Sequence, residues 1–168
     1  MTNTSRRQFL RGHFKKNEFV IRPPWAVPEE QFIAECTRCD ECITICPEKV
    51  IQKGQGGFPE IVFDRSGCEF CEECLEVCKP KVLNKTEEDA QPWFIKAEIN
   101  SKCITYHGTI CRTCGEACDD GAIRFKLEPG KVAEPLLSTD KCTGCGFCIA
   151  MCPVDAVVIS VPSIQRAS

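Results

Sequence analysis

Sixteen cysteines in 168 residues fall into four groups of four with none left over, and this constrains the chain more than any other feature. The groups are Cys36, Cys39, Cys42 and Cys46; Cys68, Cys71, Cys74 and Cys78; Cys103, Cys111, Cys114 and Cys118; and Cys142, Cys145, Cys148 and Cys152. The last reads CTGCGFCIAMCP at 142–153: three cysteines at every third position, a fourth after three more residues, then proline. That is the spacing of a bacterial iron–sulfur ligand run, in which three thiolates wrap one compact cluster and the fourth points elsewhere. Gly144 and Gly146 remove Cβ where the backbone must turn and aim N–H groups at a negative cluster. Ile149, Ala150 and Met151 predict a short helical turn carrying Cys152 away, and Pro153 stops it.

Other uses of cysteine fit less well. Disulfides suit a secreted chain, and no apolar stretch of a signal peptide follows the start of this one. Structural zinc prefers two C-x-x-C pairs separated by a longer loop, whereas three of these groups carry consecutive two-residue gaps before a three-residue gap. A net charge of −3 argues for neither nucleic acid nor an anionic membrane surface. No apolar run approaches the roughly 20 residues that span a bilayer, so no direct membrane insertion is expected. Charge is nevertheless uneven: residues 1–28 hold six Lys or Arg against one Glu, while residues 36–100 hold eight basic and thirteen acidic side chains. Glu69, Glu72, Glu73 and Glu76 lie within the second cysteine group, a field suited to a basic partner or simply a solvated face. With so much of the chain in ligand loops, the metal-free polypeptide is expected to be largely unfolded.

In chain order, TSRRQFLR at 4–11 has the look of a twin-arginine export signal through Ser5, Arg6, Arg7, Phe9 and Leu10. The apolar region such a signal needs is replaced by GHFKKNE, which predicts a basic arm that stays in the cytoplasm. Arg22, Pro23, Pro24 and Trp25 predict a stiff extended strut ending in an aromatic, either a docking anchor or packing on the first cysteine unit. Pro28, Glu29 and Glu30 resemble a helix first turn, with Phe32 and Ile33 packing it down. Residues 50–52 and 61–63 flank Gly54, Gly56 and Gly57 as a hairpin, and GQGG there lacks the Lys-Ser/Thr ending of a phosphate loop. The polar stretch at 79–92 is the best boundary between domains. Beyond it, residues 93–99, 123–127 and 156–161 read as strands. The third group departs from the pattern, with seven residues between Cys103 and Cys111 and Asp119 in place of proline. This predicts a loop that exposes one side of the site or makes Cys103 its weakest ligand, with loss of one iron as the consequence. His107 lies in that insert and reads as a surface residue rather than a ligand.

Groups one and two, and groups three and four, are each separated by a strand–turn–strand. The expected fold is therefore α+β: two tandem two-cluster (2[4Fe-4S]) ferredoxin-like units, at 29–91 and 92–168, behind an arm and RPPW segment at 1–28. In a crossed arrangement Cys36, Cys39 and Cys42 join Cys78; Cys68, Cys71 and Cys74 join Cys46; Cys103, Cys111 and Cys114 join Cys152; and Cys142, Cys145 and Cys148 join Cys118. Ligation in order within each group fits the spacing as well. All sixteen cysteines are candidate iron ligands of four [4Fe-4S] clusters. No flavin or dinucleotide fingerprint and no catalytic pair of histidines accompanies them, so an electron-transfer protein rather than an enzyme is expected.

SRR at 5–7, RPPW at 22–25, CTRCDECI at 36–43, GGFP at 56–59, the stretched third group and CTGCGFCIAMCPVDA at 142–156 together resemble the NapF family, four-cluster ferredoxin-type proteins of the periplasmic nitrate reductase system. The resemblance covers most of the chain. It implies a cytoplasmic protein with four [4Fe-4S] clusters that binds the precursor of the molybdenum-containing catalytic subunit NapA and assists its maturation before export. Related polyferredoxins act instead as electron relays in quinol- or formate-linked oxidoreductase chains, a second reading. The roles of Arg6, Arg7 and Trp25 are not specified by the resemblance.

Overall fold

A computed structural model describes residues 20–87 and 90–160. The basic arm expected over the first nineteen residues, Arg6 and Arg7 included, lies outside the described residues. The described chain folds as two halves, each built on a short antiparallel hairpin between two cysteine groups. In the first half, β1 (Ile51–Lys53) pairs with β2 (Pro59–Ile61), Ile51 opposite Ile61. In the second, β4 (Ile123–Lys126) pairs with β5 (Glu134–Leu137), Ile123 opposite Leu137. An outer pair, β3 (Lys96–Ile99) and β6 (Val157–Ser160), brackets the second half. The same position in the first half holds one isolated bridge, Ala26 to Leu83.

The helices are one or two turns long. α1 (Glu29–Glu35) follows Pro28, with Glu29 and Glu30 in its first turn, where carboxylates favour exposed N–H groups. α2 (Glu41–Ile45), α3 (Glu73–Glu76), α4 (Thr113–Glu116) and α5 (Phe147–Ala150) each carry the third cysteine of a group. α2 packs on α3, and α4 on α5.

Phe32 is completely buried with Val50, Ile51, Ile61, Val82 and Leu83. Ile33, expected beside it, is 48% exposed, because a seven-residue helix presents one apolar face and Phe32 occupies it. Val82 and Leu83, only 2% exposed, belong to this core, so the first part of the stretch expected to be a polar boundary closes the first half.

The RPPW segment is not a projecting strut. Pro23 and Pro24 are fully buried and Trp25 is 8% exposed. The Trp25 indole N–H donates to Ala90 O at 2.8 Å, and its backbone N–H to Pro92 O at 2.7 Å. Arg22 forms a two-pronged pair with Glu29 at 2.8 and 2.6 Å, donates to Pro59 O and lies over the rings of Phe32 and Phe58. A planar guanidinium suits this combination of fork and stacking. The segment is therefore a strap across the first half.

Candidate metal centres

Three of the four cysteine loops are shaped by pairs of backbone turns in the left-handed region. Arg38 and Asp40 in the first group, Phe70 and Glu72 in the second, and Gly144 and Gly146 in the fourth all have positive φ. These turns point consecutive N–H groups into the loop, a concavity suited to negative charge. Glycine is thus present in only one of three equivalent loops, and the others hold ordinary side chains in the same conformation. A second repeat follows the fourth cysteine of every group: Lys49, Lys81, Gly121 and Asp155, each three residues on, also have positive φ. The next residues, Val50, Val82, Ala122 and Ala156, are at most 2% exposed, so the chain turns back and plugs the base of each loop.

The cysteines meet across groups. One cavity is walled by Cys36, Cys39, Cys42 and Cys78, a second by Cys46, Cys68, Cys71 and Cys74, and a third by Cys118, Cys142, Cys145 and Cys148. Burial pushes the Cys114 thiol up to about 11, and the neighbouring Cys103, Cys111 and Cys152 add to the effect. These four sets are called the first, second, fourth and third sites, after the group that contributes three members.

Burial is the main influence on several of these thiols. It raises Cys68, Cys74 and Cys148 to about 12 and Cys42 to about 11, with neighbouring cysteines of the same site adding to the effect. At neutral pH these thiols are therefore protonated in the metal-free chain, and binding a metal that requires thiolates releases protons. Among the described residues no three His, Cys, Asp or Glu side chains converge on a single-ion site. The thiols instead surround the cavities, and all sixteen cysteines are free of disulfides.

Backbone N–H groups reach three sulfurs of the second half. Ala97 N donates to Cys142 Sγ at 3.4 Å, Ala122 N to Cys118 Sγ at 3.3 Å and Ala156 N to Cys152 Sγ at 3.2 Å. The Thr105 hydroxyl lies 3.2 Å from Cys103 Sγ. The insert after Cys103, expected to leave the site open, folds as a 3₁₀ turn over Ile104–His107. Cys103 is 8% exposed and Thr105 4%, while residues 106–110 of the insert are exposed, Ile110 at 80%. His107 is exposed, its Nε2 2.9 Å from Ser101 O, a surface role as expected.

Residues 35–82 match a 4Fe-4S dicluster domain and residues 135–158 a 4Fe-4S binding domain. A ferredoxin-type protein NapF of Haemophilus influenzae is 48% identical, the match covering 94% of both chains. NapF of Escherichia coli K12 is 36% identical over 92% of this chain and 93% of its own. The chain belongs to the NapF family of ferredoxin-type proteins. A ferredoxin-type protein NapG of Escherichia coli K12 is a more distant relative, 31% identical over 88% of this chain and 72% of its own. Matches to 4Fe-4S domains make NapF-type chains iron–sulfur proteins and set zinc aside for this cysteine pattern. The residues fit such clusters: four thiols per cavity, inward N–H groups and apolar walls. Among the described residues no helix is long and apolar enough to cross a membrane.

Proposed function

We propose that the chain is a cytoplasmic electron-transfer accessory protein holding four [4Fe-4S] clusters in two tandem two-cluster units, one at each crossed cysteine set. The observation that carries this reading is that three separate cavities are each walled by three cysteines of one group and one of its partner. Each cluster, when bound, supplies storage of a single electron at a potential set by burial, hydrogen bonds to sulfur and nearby charge. The protein's own part is to supply thiolates, exclude water with Phe32, Leu83 and Ile123, and orient donors toward sulfur. It carries no substrate chemistry of its own.

The partner in this reading is the precursor of NapA, the molybdenum subunit of periplasmic nitrate reductase, whose maturation before export the protein assists. Membership of the NapF family supports it. The buried setting of Trp25 leaves the basic arm ahead of it as the candidate recognition element. The test is anaerobic binding of the iron-loaded protein to the NapA precursor and to exported mature NapA. Preferential capture of the precursor, lost on deleting residues 1–19, is expected. Equal or absent binding to both forms removes the maturation role and leaves an electron relay with another partner.

A further inference from the structure

The two halves touch through their metal loops. Cys68 N–H donates to Cys145 O at 2.6 Å, joining the first ligand of the second site to the middle ligand of the fourth. The contact is close because glycines line it. A Cβ on Gly67 would stand 2.5 Å from Phe147 N, and one on Gly144 2.5 Å from Ile95 O. One on Gly146 would enter the Phe63 ring. Phe63 packs edge-on against Trp93, whose indole N–H donates to Thr143 O at 2.9 Å, so the fourth loop is held from both sides.

Within each half, neighbouring sites meet through their helices. α2, which carries Cys42, packs on α3, which carries Cys74, and α4, which carries Cys114, packs on α5, which carries Cys148.

We propose that the Cys68–Cys145 contact is the electronic junction between the halves, aligning the four sites in one line in the order first, second, fourth, third. This rests on the four-cluster reading above. An electron crossing the junction leaves the second site oxidised by one electron and the fourth reduced by one, or the reverse, with no bond or proton moved. The ends of the line, the first and third sites, are then where external one-electron donors and acceptors engage.

The test is electron paramagnetic resonance of the fully reduced, full-length protein, with iron and sulfide measured in the same sample. Wild type is expected to show magnetic coupling between the halves. In Gly67→Val the β-branched side chain forces the loops apart, and the spectrum should collapse to that of two separate pairs, with iron content unchanged. Trp93→Phe, which removes only the indole donor to Thr143, should weaken the coupling partly and serves if Gly67→Val fails to load. Wild-type coupling retained in the loaded variants overturns the junction. Wild-type iron below one atom per cysteine instead counts against the four-cluster reading itself, a failure that analysis reveals before any spectrum is compared.

Discussion

The two halves are built on one plan but reach it by different means. The first relies on a side-chain nucleus: Phe32, Val50, Ile51, Ile61, Val82 and Leu83 pack together under the strap formed by Arg22 and Trp25. The second has smaller buried side chains, Ala97, Ala122, Ile123 and Val157, and relies on backbone order, with four-residue ladders in both of its strand pairs. Prolines explain part of the contrast. Pro23 and Pro24 have no N–H to donate, so the outer pair of the first half shrinks to the Ala26–Leu83 bridge. The metal surroundings differ too. Cys39 and Cys71 of the first half are exposed, whereas every second-half cysteine is at least partly buried. Among the described residues, the N–H groups of Ala97, Ala122 and Ala156 donate to sulfur in the second half, while Glu69, Glu72, Glu73 and Glu76 place negative charge within the second cysteine group of the first. One plan can thus hold similar clusters in electrostatically distinct settings.

The largest expected effect that bears on this contrast is removal of the metal. Stripping iron anaerobically should abolish cooperative melting of the whole chain, with the second half losing all amide dispersion. A weakly protected nucleus at Phe32, Val50 and Leu83 should remain. Heteronuclear NMR of the stripped protein checks this, and identical loss in both halves breaks the comparison. Next in size is Phe32→Ala, which opens a cavity at a fully buried ring and should cost about 3–5 kcal/mol. Ile123→Val, at the centre of the second half, should cost about 0.5–1.5 kcal/mol. Denaturant midpoints of the iron-loaded variants measure both, and reversal of that order would show that the apolar nucleus does not carry the first half.

Smaller changes test the electrostatic contrast. A hydroxyl donating to thiolate sulfur favours the more negative reduced state, so Thr105→Val should lower the potential of the third site by roughly tens of millivolts. Glu69→Gln and Glu76→Gln should raise first-half potentials by a similar order, since each removes a negative charge near a site that gains one on reduction. Potentiometric titration followed by electron paramagnetic resonance reads both, and a Thr105→Val shift of opposite sign would remove the hydroxyl from the account. The smallest effect belongs to Lys79, exposed and paired with Glu41. Lys79→Ala should leave the denaturation midpoint unchanged, as screened surface pairs commonly do.

The sites were legible in the sequence to the extent that spacing alone dictates them. Cysteines three apart must share a loop, and the glycines at 54–57 mark the hairpin whose partners are Ile51 and Ile61. Crossed and in-order ligation fit the spacing equally, and only the arrangement in space brings Cys78 beside Cys42 and Cys118 beside Cys148. Packing of Trp25 on the first cysteine unit is one of its two readings from sequence and the one observed, but its hydrogen-bond partners are illegible there, since the carbonyls of Ala90 and Pro92 lie some sixty-five residues away. The insert after Cys103 reads as a loop from its seven-residue length, and spacing gives no sign that the Thr105 hydroxyl turns back toward the Cys103 sulfur. A signal that was available is the small or β-branched residue four places after the last cysteine of each group, Val50, Val82, Ala122 and Ala156, which marks the buried turn-back in all four.

The crossing of cysteine sets also bears on how the chain is made. In the first half the second site has its full complement of thiols once Cys74 has been synthesised and the first site only at Cys78, and in the second half Cys152 completes the set that Cys103 begins. A ribosome-bound nascent chain can therefore finish its first half while the second still waits with open loops. Interrupted translation a few residues short of Cys152 would leave the third site with three cysteines, while the fourth, completed by Cys118, would have all of its own.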